Sequence, residues 1–75
     1  SLKRRIMETI KLRDDFIKLG QAIKAAGLVE SGVEAKIVIQ DGLVTVNGNV
    51  ETQRGKKLVG GEVICYDGQE IKIER

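Results

Sequence analysis

The 75-residue chain has no histidine, one cysteine and only two aromatic side chains, Phe16 and Tyr66. Without histidine, and with Cys65 standing alone, the usual zinc ligand sets cannot be assembled. A lone cysteine forms no internal disulfide, so Cys65 reads as a small strand residue in a reducing, cytoplasmic setting. No apolar run approaches the ~20 residues of a membrane span, and no signal-peptide pattern is present. A Walker-type phosphate loop and a serine-nucleophile elbow are also missing. The carboxylates have structural uses: Asp14-Asp15 as helix caps, and Glu30, Glu34, Asp41 and Glu62 at caps or turns. A domain this small leaves little room for a substrate pocket of ~300 Å³ beside its core. The chain is therefore expected not to be an enzyme, with no catalytic residue, metal or cofactor.

What is present fits one small globular domain. A chain of this length buries only ~60% of its unfolded surface, so its core is small. Met7 is the only methionine. Residues 1–6 therefore read as a cloning remnant or an N-terminal extension ahead of a single domain at 7–75. Those six residues hold Lys3, Arg4 and Arg5 and no acid, so the net charge of +2 becomes −1 without them. Global charge thus says little about an anionic partner, and local clustering must carry that question.

Along the chain, Ile6, Ile10 and Leu12 alternate with Met7, Thr9 and Lys11 as in a half-buried strand, interrupted by Glu8. Asp14 is a candidate N-cap, and Phe16, Leu19, Ile23 and Ala26 then recur at helical spacing up to a stop at Gly27. Lys18, Gln21 and Lys24 form the polar stripe of that helix. Ser31 and Glu34 make a capping-box pattern, and Gly42 can supply the left-handed residue that ends a helix. Against this, Ile37-Val38-Ile39 are all β-branched and Gln40-Asp41-Gly42 resembles a hairpin turn. Pattern alone leaves helix and strand nearly balanced over 32–40, with the capping box favouring helix. Val44-Thr45-Val46, the type I′ turn Asn47-Gly48 and a return strand from Val50 predict a hairpin. Thr52 to Lys57 reads as a basic loop and Gly60-Gly61 as a turn. Glu62 to Tyr66 and Glu70 to Glu74 read as strands joined through Asp67-Gly68-Gln69.

The ordered set Gly27-Leu28, Ser31, Glu34-Ala35-Lys36, Val38-Ile39, Gly42, Val44, Val46-Asn47-Gly48 and Val50 resembles a known family. It is similar to the RNA-binding domain named after small-subunit ribosomal protein S-four. Gly55, Leu58 and Gly61-Glu62-Val63 extend the likeness, which covers roughly Asp15 to Tyr66. The resemblance implies an α+β fold in which two helices pack on a small, mainly antiparallel sheet, the αL-type RNA-binding fold. It also implies a helix over Gly32 to Gln40. The expected function is non-catalytic recognition of structured RNA, ribosomal RNA or tRNA, including that of a ribosomal particle. The protein would act as a monomer with no membrane partner and no small-molecule substrate. That family binds RNA through the paired helices and the adjoining loop. Here those elements carry Lys18, Gln21, Lys24, Ser31, Lys36, Gln53, Arg54, Lys56 and Lys57.

Phe16 falls in the core-facing register, so at most one aromatic is free to stack on a base. Recognition by shape and phosphate contact is therefore expected over sequence-specific readout. Two positions depart from the family pattern. Gly32 stands where an arginine commonly follows the serine that opens the second helix, and Gly20 where an aspartate is favoured in the first. These departures and the near-neutral charge after Met7 keep an alternative in view, a protein-interaction adaptor that retains the fold without strong RNA affinity. A continuous positive face across Lys18, Lys36 and Arg54 would favour RNA, and an exposed apolar patch there a protein.

Overall fold

The computed structural model of the protein describes residues 7–75. The start of the first expected strand, Ile6, and the cations Lys3, Arg4 and Arg5 lie outside the described residues. Strand β1 (Met7–Lys11) is followed by a two-residue strand β2 (Ile17–Lys18), helix α1 (Leu19–Ala25) and helix α2 (Gly32–Gln40). Five strands complete the chain: β3 (Val44–Val46), β4 (Asn49–Val50), β5 (Lys57–Leu58), β6 (Val63–Tyr66) and β7 (Gln69–Glu74). The main sheet runs β1-β7-β6-β3-β4, and β2 pairs with β5 in a separate ribbon. Every pairing is antiparallel except β1 with β7. The architecture is thus α+β with a mainly antiparallel sheet.

Period-two alternation places one sheet face against the helices. Val44 and Val46 flank half-buried Thr45, and Ile71 and Ile73 flank exposed Lys72. Register aligns Val46 with Ile64 and Ile64 with Ile71, which gives a row of apolar side chains across three strands. Leu19, Ala22 and Ile23 of α1 and Ala35, Val38 and Ile39 of α2 close over this row, and Leu58 joins from the ribbon. Each fully buried Leu or Ile contributes on the order of 1.5–3 kcal/mol.

Helix α2 spans the residues expected of it. The Ser31 hydroxyl accepts from the Glu34 N–H at 3.2 Å, while the Glu34 carboxylate reaches one residue further back, to the Glu30 N–H at 2.7 Å. Gly42, with φ +76, carries the chain away from the helix in the left-handed region. The hairpin turn is Asn47-Gly48, with φ 53 and 83. The last turn is tighter than expected: Asp67-Gly68 alone makes it, and Gln69 already pairs with Tyr66.

The first helix differs from its expectation. It begins at Leu19, not just after Asp14, because Ile17 and Lys18 are held extended against Leu58 and Lys57. Lys18 is its N-cap, and Asp14 and Asp15 lie in an exposed bend before it. Phe16 accordingly leaves the core register and is 37% exposed. Lys57, expected to be the end of the loop, is the first residue of β5.

Candidate nucleic-acid interface

The loop between β4 and β5 is fastened to α1 by backbone. The Leu19 N–H donates to the Lys56 carbonyl at 2.9 Å, and the Gly20 N–H donates to the Arg54 carbonyl at 3.0 Å. These bonds satisfy two first-turn donors of α1 that have no partner within their own helix. Arg54 is thereby seated over the start of α1. A Cβ added at Gly20 would stand 3.5 Å from Arg54 Cβ and 3.9 Å from Ala35 Cβ, so loop, α1 and α2 meet at this glycine.

The meeting point is a groove of about 360 Å³ lined by Lys18, Gly20, Gln21, Lys24, Gly32, Ala35, Arg54 and Gly55. Three of these residues are cations and none is a carboxylate. The others are small, apart from Gln21, so a ligand backbone can approach closely. The Gln21 side-chain carbonyl accepts from the Lys18 N–H at 3.2 Å, which leaves its amide NH₂ as a donor. Nothing stands within 4 Å of a Cβ built at Gly32, so the arginine absent here would have projected into open space.

Four of the expected site residues, Lys18, Gln21, Lys24 and Arg54, thus come together. Lys36 is exposed on α2 outside the groove lining. The Ser31 hydroxyl is engaged as the α2 cap. Gln53 is exposed in the loop, and its N–H donates to the Glu51 carboxylate at 3.2 Å. Lys56 and Lys57 line a different cleft of about 430 Å³, together with Glu51, Glu62, Asn47 and Asn49. The Lys57 ammonium lies 4.8 Å from the centroid of the Phe16 ring, a cation–π distance.

Glu62 organises the floor of that second cleft. Its two carboxylate oxygens accept from the Val59 N–H at 2.9 Å and the Gly60 N–H at 2.7 Å. Partial burial pushes its pKa up, but those N–H groups, its own N–H and the charge of Lys56 outweigh this, so the net shift is downward. Gly60 and Gly61, with φ +123 and +92, provide the backbone path this clamp requires.

Sequence reasoning did not assign Gly20, Ala35 and Gly55 to the site. Small residues recurring beside basic ones on three neighbouring elements are the signal that could have marked them. Among the described residues, no group of His, Cys, Asp and Glu side chains is placed to hold a metal, and no helix is long and apolar enough to cross a membrane.

Comparison with known proteins places this architecture. Residues 10–74 match the family described as S4 domain. The Escherichia coli (strain K12) protein named "Putative RNA-binding protein YbcJ" is 37% identical over 68 residues, which span 89% of this chain and 97% of that protein. The Bacillus subtilis (strain 168) protein named "Probable ribosome maturation protein RlbA" is 36% identical over 59 residues, 79% of this chain and 83% of the relative. The solution structure of E. coli YbcJ, described as revealing an αL motif involved in RNA binding, superposes with a TM-score of 0.68 at 28% identity. That match covers 100% of this chain and 94% of the other. With the family match running from residue 10 to residue 74 and the fold shared with a relative, the chain belongs to the S4 domain family.

Proposed function

We propose that the protein is a non-catalytic RNA-binding module, one domain at 7–75 acting as a cytoplasmic monomer. It recognises structured RNA, ribosomal RNA or tRNA, through phosphate contacts. The observation that carries this reading is the groove at Gly20, where Lys18, Lys24 and Arg54 converge with no carboxylate in the lining. Membership of the S4 domain family supports it. So do the names of the two relatives, one as an RNA-binding protein and one in ribosome maturation, and the second supports a ribosomal particle as the partner.

The chemistry follows from the groove. Uncompensated cations at the junction of three elements attract a polyanion and release its counterions. Arg54 suits bidentate contact with a phosphate, and Lys18 and Lys24 act as point charges beside it. Gly32 opens α2 at the groove wall, so first-turn N–H groups and the positive end of the helix dipole add donors there. Gln21 contributes its NH₂. Lys36, Lys56 and Lys57, with Ser31 and Gln53, supply weaker contacts on the flanks. No aromatic residue lines the groove, which favours recognition by shape and phosphate over base reading.

Titration of the full chain with ribosomal RNA and with tRNA at several salt concentrations tests this. The expected result is affinity that falls steeply with salt. Absence of binding by folded protein at low salt overturns the proposal. That outcome would favour the adaptor reading, whose support is the exposed pair Val33 and Ile37 one turn apart on α2, 69% and 53% exposed.

A further inference from the structure

A third cleft also has Gln21 in its lining. It measures about 470 Å³ and is bounded by β1, the segment leading to β2, and α1. Its floor is apolar: Ile10, Leu12 and Ile17 pack against the core yet remain only partly buried. Its rim is polar, with Lys11, Arg13 and Asp14 exposed along one strand and bend. Phe16 lines it as well, and this is the aromatic side chain that the ribbon pairing of β2 with β5 turns out of the core. Lys57 sits over the Phe16 ring. Gln21 lines both this cleft and the cationic groove, so the two adjoin.

We propose that this cleft receives a single unpaired nucleotide of the RNA whose backbone occupies the cationic groove. The inference rests on the RNA-binding reading above and narrows its target to structured RNA with a base displaced from the stack. The combination of groups matches a nucleotide part by part. The ring of Phe16 and the aliphatic floor take the base face, as aromatic side chains do for unstacked bases. Lys11 and Arg13 stand at the rim, where the flanking phosphates would pass. Asp14 is an acceptor for the amino groups of a base edge. A nucleobase is much smaller than the cleft, so the sugar and some water fit with it. A polypeptide side chain could fill the apolar floor, but it would leave Lys11 and Arg13 without a role, and their charge favours the polyanion.

The test uses the full chain and two RNA hairpins of the same stem sequence. One is fully paired, and the other carries one extra unpaired 2-aminopurine nucleotide in the stem. Affinities for both are measured for the unmodified protein, for Phe16→Leu and for Arg13→Gln. The bulged hairpin should bind about tenfold more tightly than the paired one, a preference within the range of one base–aromatic stack. Phe16→Leu should lose most of that preference while binding the paired hairpin as before. Arg13→Gln should make the salt dependence shallower for the bulged hairpin only. The 2-aminopurine emission should change on binding, and the methyl signals of Leu12 and Ile17 should shift with the bulged hairpin alone. Equal affinity for the two hairpins, or a preference that survives Phe16→Leu, overturns the cleft assignment and leaves the groove reading intact. Binding of neither hairpin overturns both. Leu12 and Ile17 signals that stay fixed with both RNAs also overturn the assignment, and the cleft is then available to a protein side chain.

Discussion

Two clefts share the segment from Arg54 to Lys57, the end of a loop and the start of β5, and they differ in charge. The groove at Gly20 gathers Lys18, Lys24 and Arg54 without a carboxylate. The cleft beyond it sets Lys56 and Lys57 among Glu51 and Glu62. A basic run in the sequence is therefore not a basic patch in space. The loop turns at Gly55, and pairing of β5 with β2 commits Lys57 and Leu58 to the ribbon. One end of the run is left facing the helices and the other facing the turn that Glu62 clamps. The groove's cations have no acid beside them in its lining and those of the cleft do, so the positive field is stronger over the groove.

The most severe way to break this contrast is to release the loop. Leu58 is fully buried and anchors it, so Leu58→Ala should cost about 2–5 kcal/mol, read as a lower urea midpoint. Binding by both faces should weaken as the loop detaches. Charge removal should separate the two clefts without unfolding either. Changing Lys18 and Arg54 together to glutamine should weaken RNA binding about tenfold or more and reduce the salt slope by roughly 1.5–2. The same change at Lys56 and Lys57 should weaken binding less than about threefold. Equal effects from the two pairs would show that the neighbouring glutamates do not matter.

Glu62→Gln probes the clamp of the second cleft. Loss of two charge-assisted acceptors should cost about 1 kcal/mol, the low end being appropriate for a partly exposed group. The folded-state pKa of Glu62 lies below its ordinary value of 4.5. Its contribution is therefore complete above that value and is lost as pH falls through the lowered one. Thermal unfolding between neutral pH and pH 3 should show this acid-linked loss in the parent and not in Glu62→Gln. The smallest effect is expected at Gly20→Ala. The added methyl meets only ordinary contacts, so better helix propensity should raise stability by about 0.5 kcal/mol, or roughly 2–4 °C in Tm. RNA affinity should fall slightly, because the added methyl narrows the groove at its lining.

Local signals in the sequence mark the ends of local elements, although without the family resemblance they leave helix and strand nearly balanced over 32–40. Ser31, Glu34 and Gly42 bound α2 through hydrogen bonds and backbone angles within a few residues. Asn47-Gly48 and Gly60-Gly61 declare their turns in the same way. The start of α1 was not legible because the contacts that set it are not local. Its first N–H groups donate to carbonyls at Arg54 and Lys56, more than 30 positions away in the chain. No pattern around Asp14 reports that, and the misassigned register of Phe16 follows from the same long-range pairing. For the same reason the sequence offered nine binding residues but not their division: Lys18, Gln21, Lys24 and Arg54 share a groove only after β2 and β5 have paired. The parallel union of β1 and β7 was likewise silent, since alternation marks a strand and not its partner.

That union has a consequence for how the molecule comes into being. The first strand and the last are neighbours in the sheet, aligned from Met7 with Glu70 to Lys11 with Glu74. During synthesis β1 emerges early and has no partner until β7 is made. The helices and the β3–β4 hairpin can meet beforehand, because their contacts close shorter loops. Pairing of β1 with β7 closes the longest loop in the sheet and is expected to form after the helices and the hairpin. Until that pairing forms, β1 presents unsatisfied backbone groups that invite pairing with other unfinished copies.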